Sequence, residues 1–546
     1  MLRQVQRLVL FCGLVANISP ANQVGASVVP RDNSTGKNPF NSEFAKFAEE
    51  TLQKLKVPGL SVAVVDGDQV YAEGYGYSVL PDTRATPETL WYAGSTTKAY
   101  TAACLSVLMH SGTYKQLAKN WSTPISSIIK EDFVLSDTWA TEHMTLDDAV
   151  SHRSGLTRND KALLQTRNGK TLNLNEIVRN MRNLPLKYEP RTDYSYNNWM
   201  YIVMSHVIET ITKKWLGDVL REQIWKPLGM NSTYFTPKDA ENAKEPMASG
   251  YIWNNVTQNY TKTLPMPMND LSGAAAIISN VLDYAKWIKC LLNETEPFSK
   301  DVHEDIRKPR MIESTDTDDA FDISLNGLAW YRNTYRGHVF YRHNGVMIGF
   351  GAQVYWFPKE KFGFVMFANG DGQSGDANKA FSMKLIADRL EGPASDYQNI
   401  TDKSIKSSKE FAEKLANAVN ITYPDLPQSR LPSSFSIADL EGKYSDESHG
   451  TMELREGTSP KKPDEKFLIA ERRDTTWRLA MRLYHVTGEK WIAYASWQDE
   501  MDDPGQVYAA EFEKEADGKV SGLKVTWESK VSLGVAEGET VFKRER

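Results

Sequence analysis

Trp91-Tyr-Ala-Gly-Ser95-Thr-Thr-Lys98-Ala-Tyr-Thr-Ala-Ala-Cys-Leu-Ser-Val-Leu-Met109 is a Gly-Ser turn followed by a run that is apolar on nearly every side. A helix hydrophobic all round is buried, so this stretch predicts the centre of a domain. Ser95 falls at the helix N-terminus, where unpaired N–H groups favour developing negative charge. Lys98 lies three residues on, one turn away on the same face. Burial opposes a lysine's charge, and an uncharged amine beside a hydroxyl activates a weak nucleophile. The competing reading is an N-cap serine with a lysine reaching for the surface. The same spacing recurs at Ser127/Lys130, Ser459/Lys462 and Ser521/Lys524, none of which opens a long apolar helix. The rest of the chain has to decide.

Working outward, residues 41–55 have helical spacing of Phe44, Phe47, Leu52 and Leu55. Residues 59–65 and 70–77 read as strands joined at Asp66-Gly67, a hairpin signal. From about 110 to 300 the pattern is helical and loop. Short strands rich in aromatic and β-branched residues return at 337–342, 351–357 and 362–368, and a helix follows at 377–391. This order predicts an α+β domain: one antiparallel sheet flanked by helices, with an inserted helical lobe and a cleft between them.

At 546 residues, two domains or more are expected. The boundaries read as a signal peptide at 1–26, a leader at 27–40, the sheet-and-lobe domain at 41–392, a linker at 393–434 and a small all-β barrel domain at 435–546. The barrel shows as evenly spaced strands at 451–455, 466–471, 476–484, 490–495, 507–513, 522–528 and 539–543. The first residues carry a basic n-region, a short apolar run at Leu8–Ala16 and the small residues Val24-Gly-Ala26. The run is too short to span a bilayer, so secretion is expected. Asn-x-Ser/Thr at Asn33, Asn120, Asn231, Asn255, Asn259, Asn293, Asn399 and Asn420 suits that compartment as glycosylation acceptors. Without the signal, the chain keeps two cysteines, Cys104 and Cys290, read as buried thiols, with a bridge left open. A net charge of −6 gives no reason to expect nucleic acid. Nine histidines show no His-Glu-x-x-His and no cysteine cluster, so neither metal nor cofactor is expected.

Two further stretches supply what an activated serine needs. Tyr196-Asn-Asn198 precedes a helix. Near cations a phenol can exist partly as phenolate and take a proton, and Asn198 offers a donor and an acceptor to a substrate amide or to Lys98. His343-Asn344-Gly345-Val346 ends a strand. His343 offers charge or a donor toward substrate or Tyr196, and Gly345 leaves room for another backbone along that edge.

In that order, Ser95-x-x-Lys98, Tyr196-x-Asn198 and His343-x-Gly345 resemble the three motifs of the penicillin-recognising serine hydrolases. The branch they are most similar to holds class C β-lactamases, D-Ala-D-Ala carboxypeptidases, D-aminopeptidases and related esterases. Supporting blocks are Thr145–Leu156, Pro227–Met230, the Gly273-Ala-Ala-Ala block before Asp283–Trp287, and Phe367–Gly370. The resemblance covers roughly residues 40 to 392, and the C-terminal part is similar to an appended eight-stranded, lipocalin-like barrel. It implies an acyl-enzyme on Ser95. Lys98 and Tyr196 would share the proton work with the base unassigned, and the N–H groups of Ser95 and Val346 would form an oxyanion hole. His343 stands where efficient β-lactamases carry lysine, which favours peptidase-like, amide or ester chemistry.

Function therefore reads as a secreted serine hydrolase acting on an amide, ester or D-amino-acid peptide. The alternatives are an acyltransferase of natural-product metabolism and a non-catalytic binding or scaffold member. The partner is a small-molecule or peptide substrate, with oligomeric state open. The barrel reads as a stabilising appendage, with a substrate-restricting lid as the other possibility.

Overall fold

Strand β1 (Gly59–Asp66) is buried along nearly its whole length because it divides two cores. Ala63 and Val65 point into the lobe side, while Leu60, Val62 and Val64 point to the opposite face. The computed structural model describes residues 38–268, 271–459, 462–497, 503–532 and 537–545, all within one compact unit, Asn38–Arg546. The signal expected at 1–26 and the expected leader up to residue 37, with Asn33, lie outside the described residues.

β1 turns through Gly67-Asp68 into β2 (Gln69–Val79), and β3 (Thr83–Arg84) follows. The far half of the sheet comes from β4 (Met311–Ser314), β5 (Ser324–Asn326), β6 (Tyr331–Tyr335), β7 (His338–Met347), β8 (Phe350–Phe357) and β9 (Phe362–Asn369). The order is β4-β5-β6-β7-β8-β9-β1-β2-β3 and every pairing is antiparallel. β4 to β6 were not legible as strands in the sequence.

Helices cover both faces. α1 (Ser42–Leu55) packs with α5 (Gln373–Arg389) on one side, through Phe44, Ala48 and Phe381. Residues 85–310 build the lobe on the other, around α2 (Thr97–His110), α3 (Asn198–Thr212) and α4 (Val281–Asn293). Twelve of the fourteen residues of α2 are buried, as an all-round apolar helix requires. Cys104 and Cys290 are buried free thiols.

Beyond the sheet, eight antiparallel strands close a barrel, Gly442–Asp446 pairing with Glu539–Arg544 to seal it. That first strand, Gly-Lys-Tyr-Ser-Asp, is short and polar and escaped the sequence reading. Met452, Leu468, Met481, Trp491, Phe512 and Phe542 fill the interior. The stretch read as linker carries three helices: Ser395–Gln398, α6 (Ile400–Ala416) and Ala418–Thr422. α6 sets Ile400 and Ile405 on the sheet domain, and Phe411 and Leu415 on the outer wall of the barrel. Among the described residues, no helix is long and apolar enough to cross a membrane and no group of three His, Cys, Asp or Glu gathers as a metal site.

Candidate active site

The turn bearing Ser95 is locked on every side. Ala93 N–H donates to Ile277 O (2.9 Å), Thr97 Oγ1 donates to Gly94 O (2.7 Å) and Thr96 Oγ1 donates to Ala93 O (2.9 Å). Gly94 sits at φ +54, and a side chain there would meet the Val346 backbone nitrogen at 2.9 Å. Gly345 is tighter still, because a Cβ would fall 2.0 Å from Ala93 O. The backbone that Gly345 admits is therefore the protein's own. Two glycines let the end of β7 lie against the Ser95 turn, placing the Ser95 and Val346 segments side by side. β6 pairs with β7 only as far as Arg342, so the last residues of β7 present an edge on which Val346 is 49% exposed.

Lys98 is fully buried beneath this turn. Its amine contacts Ser95 Oγ at 3.0 Å, Asn198 Oδ1 at 2.7 Å and Ala274 O at 2.8 Å. Burial holds its pKa well below the usual lysine value, Arg158 adds to that, and Asp160 opposes it. A neutral amine has two hydrogens to donate and one lone pair. Asn198 Oδ1 and the Ala274 carbonyl can only accept, so an amine that has given up its third proton keeps its lone pair for the Ser95 hydroxyl.

Tyr196 reaches the Ser95 hydroxyl from the side, and Lys98 Nζ lies 4.9 Å from its ring centre. Burial raises the phenol far above its ordinary pKa, with Tyr331 adding to the effect. The partial phenolate expected from the sequence does not form at rest, since desolvation outweighs the nearby cations. Asn197, between the two motif residues, caps α3: its side chain accepts from Met200 N–H at 3.0 Å and donates to Thr157 O at 2.7 Å. His152 packs on Tyr196 with ring centres 4.5 Å apart, and its Nδ1 accepts from Asn197 N–H at 3.0 Å.

His343 lies in the same cluster, its ring 6.4 Å from that of Tyr196 and 5.5 Å from that of Tyr331. It is 1% exposed, donates from Nδ1 to Asn344 O (2.6 Å), and burial lowers its pKa to about 3. The positive charge the sequence allowed at this position is absent, because an imidazolium buried there has no solvation. Sequence reasoning missed Arg158 and Asp160. Both oxygens of the Asp160 carboxylate accept from Asn198 Nδ2, at 2.9 and 3.0 Å, and Oδ2 also accepts from Arg158 Nε. The signal available was a polar run with three charges, Arg158-Asn-Asp160-Lys161, between the apolar Leu156 and Leu163-Leu164.

A cavity of about 710 Å³ adjoins the centre through Val346, Arg158 and Asp160. Its far wall is aromatic, with Trp477, Trp497, Tyr508 and Trp527 from the barrel and Phe411 from α6. Of the sequence-marked acceptors, Asn120, Asn231, Asn255, Asn259, Asn399 and Asn420 are exposed and Asn293 is half-buried.

An antiparallel sheet interrupted by a helical lobe, with a serine and a buried lysine at the seam, is the architecture of a family of serine hydrolases. The chain belongs to the beta-lactamase family, whose model matches residues 44–388. It is similar to an unguisins hydrolase from Aspergillus campestris (strain IBT 28561), 35% identical over 93% of this chain and 94% of that one. Its fold is similar to that of an octameric penicillin-binding protein homologue from Pyrococcus abyssi, with 19% identity, a TM-score of 0.56, and coverage of 92% and 99% of the two chains. It is also similar to that of a D-amino acid amidase from Ochrobactrum anthropi SV3, with 20% identity, a TM-score of 0.51, and coverage of 67% and 100%.

Proposed function

We propose that the protein hydrolyses an amide or ester bond through an acyl-enzyme on Ser95, with Lys98 as the general base. The observation that carries this is the lone-pair accounting at Lys98. Two fixed acceptors consume its hydrogens and leave the free pair 3.0 Å from Ser95 Oγ. Ser95 attacks the carbonyl as its proton passes to Lys98. The Ser95 and Val346 N–H groups meet the oxyanion, each worth about 3–4 kcal/mol. Tyr196, kept as a phenol, then gives a proton to the leaving group and recovers one from Lys98. Water admitted on the vacated side releases the acyl group by the same steps reversed.

The acyl portion of the substrate lies along the Val346 edge and fills the aromatic cavity. A bulky, peptide-like acyl group fits that space. Because His343 is neutral, the third motif offers no charge to a substrate carboxylate, which favours amide and ester substrates over penicillins. The relative named for hydrolysing unguisins makes those compounds the first substrates to assay, beside ester, D-amino-acid amide and β-lactam chromogens.

A fluorophosphonate probe labels the wild type and not Ser95→Ala. Failure to label the wild type removes the nucleophile and favours a binding role. Product analysis with an added amine distinguishes hydrolysis from acyl transfer. We also read the N-terminus as an export signal and the exposed sequons as occupied. A mobility shift of secreted protein on treatment with an endoglycosidase tests both.

A further inference from the structure

The two residues Asp160 and Lys161 face opposite ways. Asp160 reaches into the hydrolase site, where its carboxylate holds both oxygens on Asn198 Nδ2. That bond settles the orientation of the amide and turns Asn198 Oδ1 to Lys98 Nζ at 2.7 Å. Lys161 reaches into the mouth of the barrel. Its ammonium lies 3.3 Å from Glu537 and 5.5 and 5.9 Å from the ring centres of Tyr508 and Trp527. Its backbone is held too: the N–H donates to Glu537 Oε2 (3.1 Å), and Arg472 donates from Nη2 to its carbonyl (2.7 Å). Further along the loop, Thr476 N–H donates to Leu163 O (3.1 Å) and Gln165 N–H to Asp474 O (2.8 Å). Glu537, Arg472 and Lys161 are nearly or wholly out of solvent, where such contacts hold firmly.

We propose that Asp160 is a positioning residue for Lys98, and that the barrel holds it in place through the grip of Glu537 and Arg472 on Lys161. The line of force runs from barrel to loop to Asp160, then through Asn198 to the amine that faces Ser95. A barrel that merely stabilises the chain needs no contact at the one residue adjoining Asp160. Here its only buried ion pair to the hydrolase, among the described residues, is made there. Arg158, paired with Asp160, keeps the loop electrically balanced. When Asp160 loses its charge, the remaining guanidinium disfavours an ammonium at Lys98, so proton uptake by that amine shifts to lower pH.

This inference rests on Lys98 acting as base toward Ser95, and the experiment keeps the two apart. The second-order rate of fluorophosphonate labelling is measured against pH for the full chain, wild type and variants. The expected result for Asp160→Asn is labelling slowed about 10-fold to 100-fold, with its acid limb moved to lower pH. Glu537→Ala slows labelling in the same way, Glu537→Gln, which keeps an acceptor for the Lys161 N–H, restores most of it, and Asp160→Asn with Glu537→Ala is no slower than Asp160→Asn alone. An unlabelled wild type sinks the nucleophile reading itself. A labelled wild type with an unmoved acid limb in Asp160→Asn overturns the positioning role. Effects of the two sites that multiply overturn the route through the barrel. If Asp160→Asn does not fold, the contrast between Glu537→Ala and Glu537→Gln decides: equal rates refute the proposal, and rescue by glutamine supports it.

Discussion

Gly345→Ala tests the close approach on which the site is built. The added Cβ would lie 2.0 Å from Ala93 O, and to reach even 3.0 Å the two backbones must part by 1.0 Å. Neither side yields cheaply. Ala93 O is tied to the Thr96 hydroxyl, Ala93 N–H to Ile277, and β7 is paired residue by residue with β8 from Tyr341 to Met347. The displacement therefore falls between the Ser95 and Val346 amides. A misplacement of about 1 Å costs on the order of 10²-fold, about the same as losing one oxyanion donor. We expect fluorophosphonate labelling or turnover of a chromogenic ester to drop about 100-fold, with far-ultraviolet circular dichroism unchanged. Gly375→Ala serves as control, since a Cβ there meets nothing within 4 Å and the site lies in helix α5. If Gly345→Ala retains wild-type rate and melting temperature, the two backbones are not held together as described, and the shared oxyanion site falls with them.

Other outcomes follow from the burial of titrating groups. Because the folded pKa of Lys98 is depressed, activity extends well below the ordinary lysine range and is lost as pH falls through the depressed pKa, giving an acid limb in kcat/KM that Tyr196→Phe leaves in place. The same shift means the unfolded chain binds a proton that the folded one refuses. This group's share of stability accordingly rises with pH up to the ordinary lysine value, which denaturant melts at several pH values would show. His343 is held neutral down to about pH 3, so its imidazole resonances stay fixed from pH 8 to 5, and titration near 6.5 would contradict the burial. Burial pushes the Cys104 thiol up to about 12 and Cys290 to about 11. In the native protein neither reacts with Ellman's reagent within minutes, and both react after denaturation.

What could be read in advance was whatever local pattern enforces. An apolar helix with a polar start announced α2, and hairpin chemistry at Asp66-Gly67 announced β1 and β2. Three short motifs named Ser95, Lys98, Tyr196, Asn198 and the 343–346 strand end, all of which meet in space. What stayed hidden depends on partners far along the chain. Asp160 matters because it touches Asn198, 38 residues on, and no periodicity marks a loop residue for that task. β4 and β5 are three or four residues long and borrow their order from neighbours, as does the barrel strand at Gly442. Protonation was misjudged for a related reason. The sequence does not show how deeply a group is buried, and desolvation is the largest cause at both residues: at Tyr196 it outweighs the Arg158 cation, and at His343 it outweighs the hydrogen bond to Asn344 O. Lys98 follows the same rule with the opposite consequence. Burial that silences a histidine and a tyrosine as ions would, on the proposed mechanism, make a lysine a base, so one dry pocket would assign all three roles. That assignment lasts only while Asp160, Asn198 and the barrel's grip on Lys161 keep the amine turned toward the hydroxyl.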